Sequence, residues 1–456
     1  MFFIKFSFYF ILKYISYYLP SYKKKEKHQE LQARKLKRIV KYAKMHSPFY
    51  NKHLSFVDDN NLCLQDFPVV NKNILVNNLE DVLTEKLAKS DIERYLDTEF
   101  AFDKKYKKKY LIFHTSGSSG SSVNVVWGAR EFATATAMLM VKNIGLLTAT
   151  NPIEFFLRKK KYLYIGITDD YIGGNSWVYA MRYLSNIKII SIFTPIDKMV
   201  EEIEKFDPEF IMAKPHVLGE IAEKLVEKSI KLNVQKLIFV GEMLTDRDKE
   251  MIKKGFGKLA FNSYSTCETG PIAYEKEPET LTIMDEEVIL ELLDEDNNPI
   301  TEYYKLGHIV ITNLYNKIMP IIRYDIGDMA YFIPNNDDDQ LNTICYIKGR
   351  NTSYFEFRDK SNNLIKISEY PFWSIHIHGI AHYQIIQLDY SKVKILLEFE
   401  NGEKNVDDLK AKFEDKMKRI FPEEFFNTQL EVVYEYVKKI PVTKSGKIVI
   451  TRPMKK

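Results

Sequence analysis

Tyr110-Leu111-Ile112-Phe113-His114-Thr115-Ser116-Gly117-Ser118-Ser119-Gly120 is the stretch on which the reading of this chain turns. Residues 110–114 read as a short buried strand, and a loop rich in hydroxyls and glycine follows directly. Glycines lack a Cβ and let backbone N–H groups turn toward an anion. The interleaved Thr and Ser hydroxyls add donors, so the loop from Thr115 to Gly120 suits a polyphosphate. It is not a Walker loop, because the closing Gly-Lys-Ser/Thr is absent and residues 123–127 read as a second strand rather than a helix. Alone, such a loop is more often a plain turn.

Outward from it, apolar runs alternate with helical patterns. Residues 130–141 form a helical stripe; 162–167, 187–193, 210–213 and 236–240 read as strands; 199–206 and 217–228 read as helices. Strand-helix alternation predicts an α/β fold with doubly wound sheets. From 288 to 347 strand follows strand between turn clusters, which predicts a small β-barrel or antiparallel sheet. Past 349 a hairpin at Asn362-Asn363, strands at 383–388 and 393–399, a helix carrying Leu409, Phe413, Met417 and Ile420, and a strand at 430–436 predict a small α+β domain. The expected division is 1–29, 30–348 and 349–456.

The chain has 456 residues, 45% of them hydrophobic, which rules out disorder and leaves room for a large core. Its 66 Lys and Arg nearly balance 62 Asp and Glu, so the field is too weak to argue for a nucleic-acid partner. Three scattered cysteines support neither a disulfide framework nor a zinc site and fit a reducing, cytoplasmic setting. The first twenty residues are strongly apolar, but Lys5 and Lys13 interrupt a stretch that would have to stay apolar to span a bilayer. Phe2, Phe3, Phe6, Tyr9 and Phe10 recur at near-helical spacing ahead of Lys23-Lys24-Lys25-Glu26-Lys27, which predicts an interfacial helix giving peripheral contact at the inner face of a membrane through residues 1–27. Packing of that aromatic face on the main domain is the alternative.

Five companions change the weight of the phosphate loop: Gly241-Glu242; Asn262-Ser263-Tyr264-Ser265-Thr266-Cys267-Glu268; Arg323-Tyr324-Asp325-Ile326-Gly327-Asp328; Gly349-Arg350; and Pro441-Val442-Thr443-Lys444-Ser445-Gly446-Lys447. In this order the set resembles the adenylate-forming superfamily of acyl-CoA ligases, adenylation domains and luciferases. Leu36-Lys37-Arg38-Ile39-Val40-Lys41-Tyr42-Ala43 with Ser47-Pro48-Phe49-Tyr50, and Met319-Pro320-Ile321-Ile322-Arg323-Tyr324, make it most similar to the phenylacetate-CoA ligase branch. That branch includes CapK-like proteins of capsule loci and relatives of a synthetase that adenylylates a deazaflavin coenzyme.

The resemblance implies an ATP- and Mg²⁺-dependent enzyme that activates a small-molecule carboxylic acid as acyl-AMP with release of pyrophosphate. Transfer to coenzyme A or another acceptor would follow, in capsule or surface-polysaccharide synthesis, under a mobile C-terminal lid. Carried over motif by motif, Thr115, Ser116, Gly117, Ser118, Ser119 and Gly120 hold phosphates. Gly241, Glu242, Tyr264 and Ser265 frame the adenine, and Asp328 and Arg350 take the ribose. Glu268 ligates the metal, and Lys447, with Glu268, carries the catalytic role. The acid pocket is expected around 171–177 with Phe193 and Met243. An adenylyltransferase that leaves AMP on a hydroxyl, and a nucleotide-binding partner protein without catalysis, are the rival readings.

Some positions depart from the family pattern. Ser121-Ser122-Val123 stands where Pro-Lys commonly follows the loop, and Thr352-Ser353 stands where an acidic pair commonly follows Gly-Arg. Ser265 and Cys267 replace the usual glycine and threonine. His376, His378 and His382 read as part of a solvated loop rather than a metal cluster, and the lysines of 104–109 as another solvated loop beside the phosphate loop.

Overall fold

The computed structural model describes residues 2–17, 25–58, 62–101, 104–115, 122–142, 159–168, 170–334, 342–348, 354–369, 372, 375, 377–400, 405–443 and 446–454. The residues expected to form a phosphate loop, Ser116, Gly117, Ser118, Ser119 and Gly120, together with Gly349 and Arg350, lie outside them.

An eight-stranded sheet organises the larger part of the chain. Its order is Thr343–Cys345, Thr280–Ile283, Gly270–Tyr274, Ala260–Thr266, Lys236–Phe239, Phe210–Ala213, Lys161–Gly166 and Asn186–Ser191. The five strands from Ala260–Thr266 to Asn186–Ser191 are parallel, and the remaining pairs are antiparallel. Alternation along the parallel strands explains the layering. Tyr162, Phe210 and Ile238 enter the core that also holds Phe132 and Met181, while Leu163, Ile211 and Leu237 enter the core formed with Val200, Leu218, Ile221 and Ile252. Helices Ala129–Lys142 and Asn175–Leu184 therefore cover one face, and Ile196–Phe206, Pro215–Glu227 and Asp246–Phe256 the other. This is the doubly wound α/β arrangement read from the sequence.

The region expected as a small barrel contains a three-stranded antiparallel sheet, ordered Val288–Leu293, Gly307–Asn313 and Tyr324–Ala330. The C-terminal part has a core of its own around Phe355, Phe372, Ile385, Val393, Leu397 and Phe413. Its four-stranded sheet runs Glu431–Tyr436, Lys392–Phe399, Ile380–Asp389 and Thr451–Arg452. His382 is not in a solvated loop: it lies buried on the strand Ile380–Asp389 with Nδ1 3.3 Å from Glu398, because antiparallel pairing with Lys392–Phe399 sets it directly opposite that residue.

At the N-terminus the helix Phe2–Ser16 buries Phe2, Phe6, Phe10 and Tyr14 against the helix Ala129–Lys142. The expectation that this aromatic face meets lipid headgroups is thus corrected. Phe6 stacks on Phe3 and Phe10 and meets the Phe132 ring at 5.8 Å, so apolar burial inside the protein takes the place of the bilayer. Lys13 and Lys35 both pair with the buried carboxylate of Glu287, tying the two N-terminal helices to the strand region. Burial pushes the Glu287 carboxyl up, but the charges of Lys13 and Lys35 outweigh it and hold the group below its ordinary value of 4.5. A depressed folded pKa stabilises above the unfolded value and ceases to do so as pH falls through the folded one. Glu287→Gln should therefore cost about 1.5–3 kcal/mol near neutral pH, and the gap to wild type should close on acidification. Urea titrations at neutral and acid pH check this, and a gap that does not change with pH contradicts it.

Candidate active site

A cavity of about 420 Å³ opens at the carboxyl ends of the parallel strands. Its lining includes Gly166 and Ile167 after one strand, Met212 and Lys214 at the end of the next, then Val240, Gly241 and Glu242, and Thr266 to Glu268. The strand Lys161–Gly166 sits between its successor Asn186–Ser191 on one side and Phe210–Ala213 on the other, so the connections diverge there. Open parallel sheets bind ligands at such a switch point.

Thr115 stands at the cavity as the chain leaves the strand Leu111–His114. Its N–H donates to the Val123 carbonyl at 3.0 Å and its Oγ1 accepts from the Val123 N–H at 2.9 Å, so the two ends of the expected phosphate loop are pinned together. Gly241 follows the strand Lys236–Phe239 with φ +76°, a conformation glycine adopts without strain, and turns Glu242 into the cavity. Glu242 is held by Lys214 at 3.2 Å and by His216 Nδ1 at 2.8 Å. Burial pushes the Glu242 carboxyl up, but the His216 hydrogen bond and the charges of His216, Lys214 and Lys447 hold it below its ordinary value. Burial is also the main reason that Lys214 falls to about 8, with Glu242 opposing the drop and Lys447 adding to it.

The strand Ala260–Thr266, next to Lys236–Phe239 in the sheet, and the turn after it supply Tyr264, Ser265 and Glu268. The Tyr264 hydroxyl donates to Asp328 Oδ2 at 2.8 Å, joining the large sheet to the three-stranded one. Ser265 Oγ is buried and has no hydrogen-bond partner in the structure. Glu268 is 9% exposed, and its Oε1 accepts from the Tyr324 hydroxyl at 3.3 Å. Burial and the adjacent Glu268 charge push the Cys267 thiol well up, which argues against a reactive thiolate here. Glu268 offers a hard oxygen donor, and the described residues hold no group of three or more His, Cys, Asp or Glu side chains set to bind a metal. A magnesium ion, which needs few protein ligands, would be held here through the Glu268 carboxylate and would supply positive charge to the cavity.

The C-terminal part closes the site with Lys447. The Thr443 N–H donates to the Lys447 carbonyl, the Gly446 N–H to the Thr443 carbonyl and the Lys447 N–H to Thr443 Oγ1, a tight turn between the bridged residues Val442 and Ile448. Gly446 has φ +65°, and a Cβ there would meet Ile192 at 2.9 Å, so only glycine lets the turn press this close. Lys447 then lines the cavity, its Cε 3.9 Å from where a Cβ on Gly241 would be. Arg247 with Glu400 at 3.0 Å and Lys439 with Glu220 at 2.9 Å tie the two parts together.

Residues 361–452 match a family model described as the CapK C-terminal domain. Protein CapK of Staphylococcus aureus is 24% identical over 440 residues, covering 92% of this chain and 87% of that protein. Over most of its length the chain is thus similar to the CapK-like branch of the adenylate-forming superfamily. A phenylacetate-coenzyme A ligase of Pseudomonas putida is 28% identical over 145 residues, 30% of this chain and 33% of that enzyme. The fold matches 2-hydroxyisobutyryl-CoA ligase in its postadenylation state with a TM-score of 0.67 at 17% identity, over 94% of this chain and 90% of the other. The thioesterification state of that ligase, crystallised with CoA, matches with a TM-score of 0.56.

Of the residues expected at the site of this CapK-like chain, Thr115, Gly241, Glu242, Tyr264, Ser265, Glu268, Asp328 and Lys447 line one cavity, although up to 332 positions separate them. Met243 lines it too, as do Ile172, Gly173 and Gly174. Phe193 does not: it is 57% exposed, beyond the end of its strand. Tyr171 is buried against Tyr95 and Phe100 rather than in the cavity. Sequence reasoning did not single out Lys214 or His216. The signal was present in Lys214-Pro215-His216, polar residues directly after an apolar strand, with proline at the first turn of the next helix. Trp127, Phe132 and Tyr164, which add aromatic surface to the cavity lining, were legible only as core.

Proposed function

We propose that this enzyme activates a small carboxylic acid with ATP. A carboxylate oxygen attacks the α-phosphorus, the bond to the β-phosphate oxygen breaks and pyrophosphate leaves. The acyl group of the resulting acyl-AMP then passes to the thiol of coenzyme A or to another acceptor, and AMP departs. The observation that carries this reading is Lys447, brought by its turn onto the same cavity as Thr115, Glu242, Glu268 and Asp328. The transition state gathers charge on phosphoryl oxygens, and a fixed ammonium stabilises it there. Thr115 with residues 116–120 holds the β- and γ-phosphates, and Gly241, Glu242, Tyr264 and Ser265 frame the adenine. Asp328, positioned by Tyr264, accepts from the ribose hydroxyls, with Arg350 beside the same sugar. Glu268 holds magnesium, which when bound neutralises phosphate charge. The acid lies toward Trp127, Phe132 and Tyr164.

Residues 30–348 form the adenylating unit in this reading and 349–456 a lid that repositions between the two half-reactions. The ionic tie Lys439–Glu220 supports it, since its lysine is exposed and such a pair separates at little cost. Likeness to CapK supports a place in capsule or surface-polysaccharide synthesis, and three free cysteines support a reducing, cytoplasmic setting. A pyrophosphate-exchange screen over carboxylic acids, with and without coenzyme A, tests the function. One acid should support exchange without thiol, and Glu268→Gln should raise the magnesium concentration needed for the half-maximal rate, because an amide is a weaker ligand for a hard ion. Absence of exchange with every acid sinks the reading, and an unchanged magnesium titration removes Glu268 as ligand.

A further inference from the structure

The helix Phe2–Ser16 is apolar on two faces. Phe2, Phe6, Phe10 and Tyr14 pack inward, while Ile4, Phe8, Ile11, Leu12 and Ile15 point out, with exposures of 74%, 58%, 43%, 49% and 53%. Their spacing of four, three, one and three residues places them on one outer stripe. The fold gains little from this stripe, since the inward aromatics already anchor the helix. Other exposed large hydrophobics on the described surface, such as Met45, Phe56 and Phe193, come from separate elements. A continuous exposed apolar patch of this kind marks an interaction site.

Charge around the stripe selects the occupant. The helix carries no Asp or Glu, and Lys5 is exposed beside Ile4. Lys105 places its ammonium 5.8 Å from the Phe2 ring centre, and Arg130 its guanidinium 5.6 Å from that of Tyr9. Lys107 and Lys108 are exposed on the same loop as Lys105, at φ +48° and +55°. An apolar stripe rimmed by cations complements an anionic lipid surface, whereas a second copy of the chain would set these like charges against each other. No helix among the described residues is long and apolar enough to cross a membrane.

We propose that the outer stripe of this helix seats the enzyme on an anionic bilayer, the helix lying in the plane of the interface with Ile4, Phe8, Ile11, Leu12 and Ile15 among the acyl chains and Lys5, Lys105, Lys107, Lys108 and Arg130 at headgroup phosphates. Unlike an interfacial helix that must leave the protein to bind, this one is already fixed by its other face. Membrane docking therefore costs no unpacking. It is independent of the reaction assigned above.

Sedimentation of the full chain with vesicles of phosphatidylcholine containing about 30% phosphatidylglycerol, against vesicles of phosphatidylcholine alone, tests this. The protein should pellet with the anionic vesicles and be released as salt rises from about 0.05 to about 0.5 M. The double variant Phe8→Glu/Ile11→Glu should bind about tenfold or more weakly, with an unchanged melting temperature. Lys107→Glu/Lys108→Glu should weaken binding to anionic vesicles while leaving the fold intact. Three results would overturn the proposal: wild type that stays in the supernatant, a double variant that binds as wild type does, or a wild-type dimer in solution that the double variant dissociates, which would assign the stripe to a second copy.

Discussion

Lys447→Ala should lower the rate of acyl-adenylate formation by about a hundredfold to a thousandfold, the loss typical when one preorganised charge is removed from a transition state, while ATP binding and thermal stability stay close to wild type. The side chain sits on a turn whose hydrogen bonds are made by backbone atoms and Thr443 Oγ1, so its removal leaves the turn standing. In the proposed reading the ground-state nucleotide keeps its other partners, Thr115, Glu242, Tyr264 and Asp328, which line the cavity from the larger part of the chain. The penalty should therefore appear in kcat and in kcat/KM alike, with little change in the KM for ATP. Lys447→Arg should recover only part of the rate, because a planar fork does not replace a point charge. A variant that lost ATP affinity and kept kcat would instead make Lys447 a binding residue.

The largest stability effect should come from the inner face of the N-terminal helix. Phe6→Ala should cost about 3–5 kcal/mol, the usual range for emptying a buried aromatic site, and Phe8→Ala on the opposite face less than about 0.5 kcal/mol. Phe6 is 2% exposed and lies between the rings of Phe3 and Phe10 with Phe132 beneath, on a helix that cannot slide to fill the gap while Lys13 pairs with Glu287. Paired denaturation curves for the two variants provide the check. Equal losses would mean that both faces are packed, and no loss from Phe6→Ala would mean that the helix is not part of the core.

Much of the fold could be read from local pattern. The strands at 210–213 and 236–240 and the helices that follow them were legible because apolar runs and amphipathic stripes alternate there with polar breaks. The N-terminal segment was harder, because Phe, Ile and Tyr occupy nearly every position and periodicity cannot tell which of two apolar faces packs. The structure turns Phe6 and Phe10 inward and Ile4 and Phe8 outward. His382 was misread for a related reason: three histidines within seven residues suggested a polar loop, whereas only the strand pairing decides that this ring turns in against Glu398.

The candidate site was legible as motifs but not as chemistry. Gly241-Glu242 was found, yet the Lys214 and His216 pair that fixes the Glu242 charge comes from a neighbouring strand end, and only the parallel pairing of Phe210–Ala213 with Lys236–Phe239 brings them together. Tyr264 and Asp328 were each expected near the nucleotide, while the hydrogen bond between them depends on the meeting of two sheets.

Formation of an acyl-AMP intermediate is tested most directly by the fate of carboxylate oxygen. With the acid identified by exchange and labelled with ¹⁸O in its carboxylate, a complete turnover in the presence of acceptor should deliver one labelled oxygen into AMP, alongside pyrophosphate and the acylated acceptor. AMP free of label, AMP retained covalently on a hydroxyl product, or ADP and phosphate in place of AMP and pyrophosphate would contradict it.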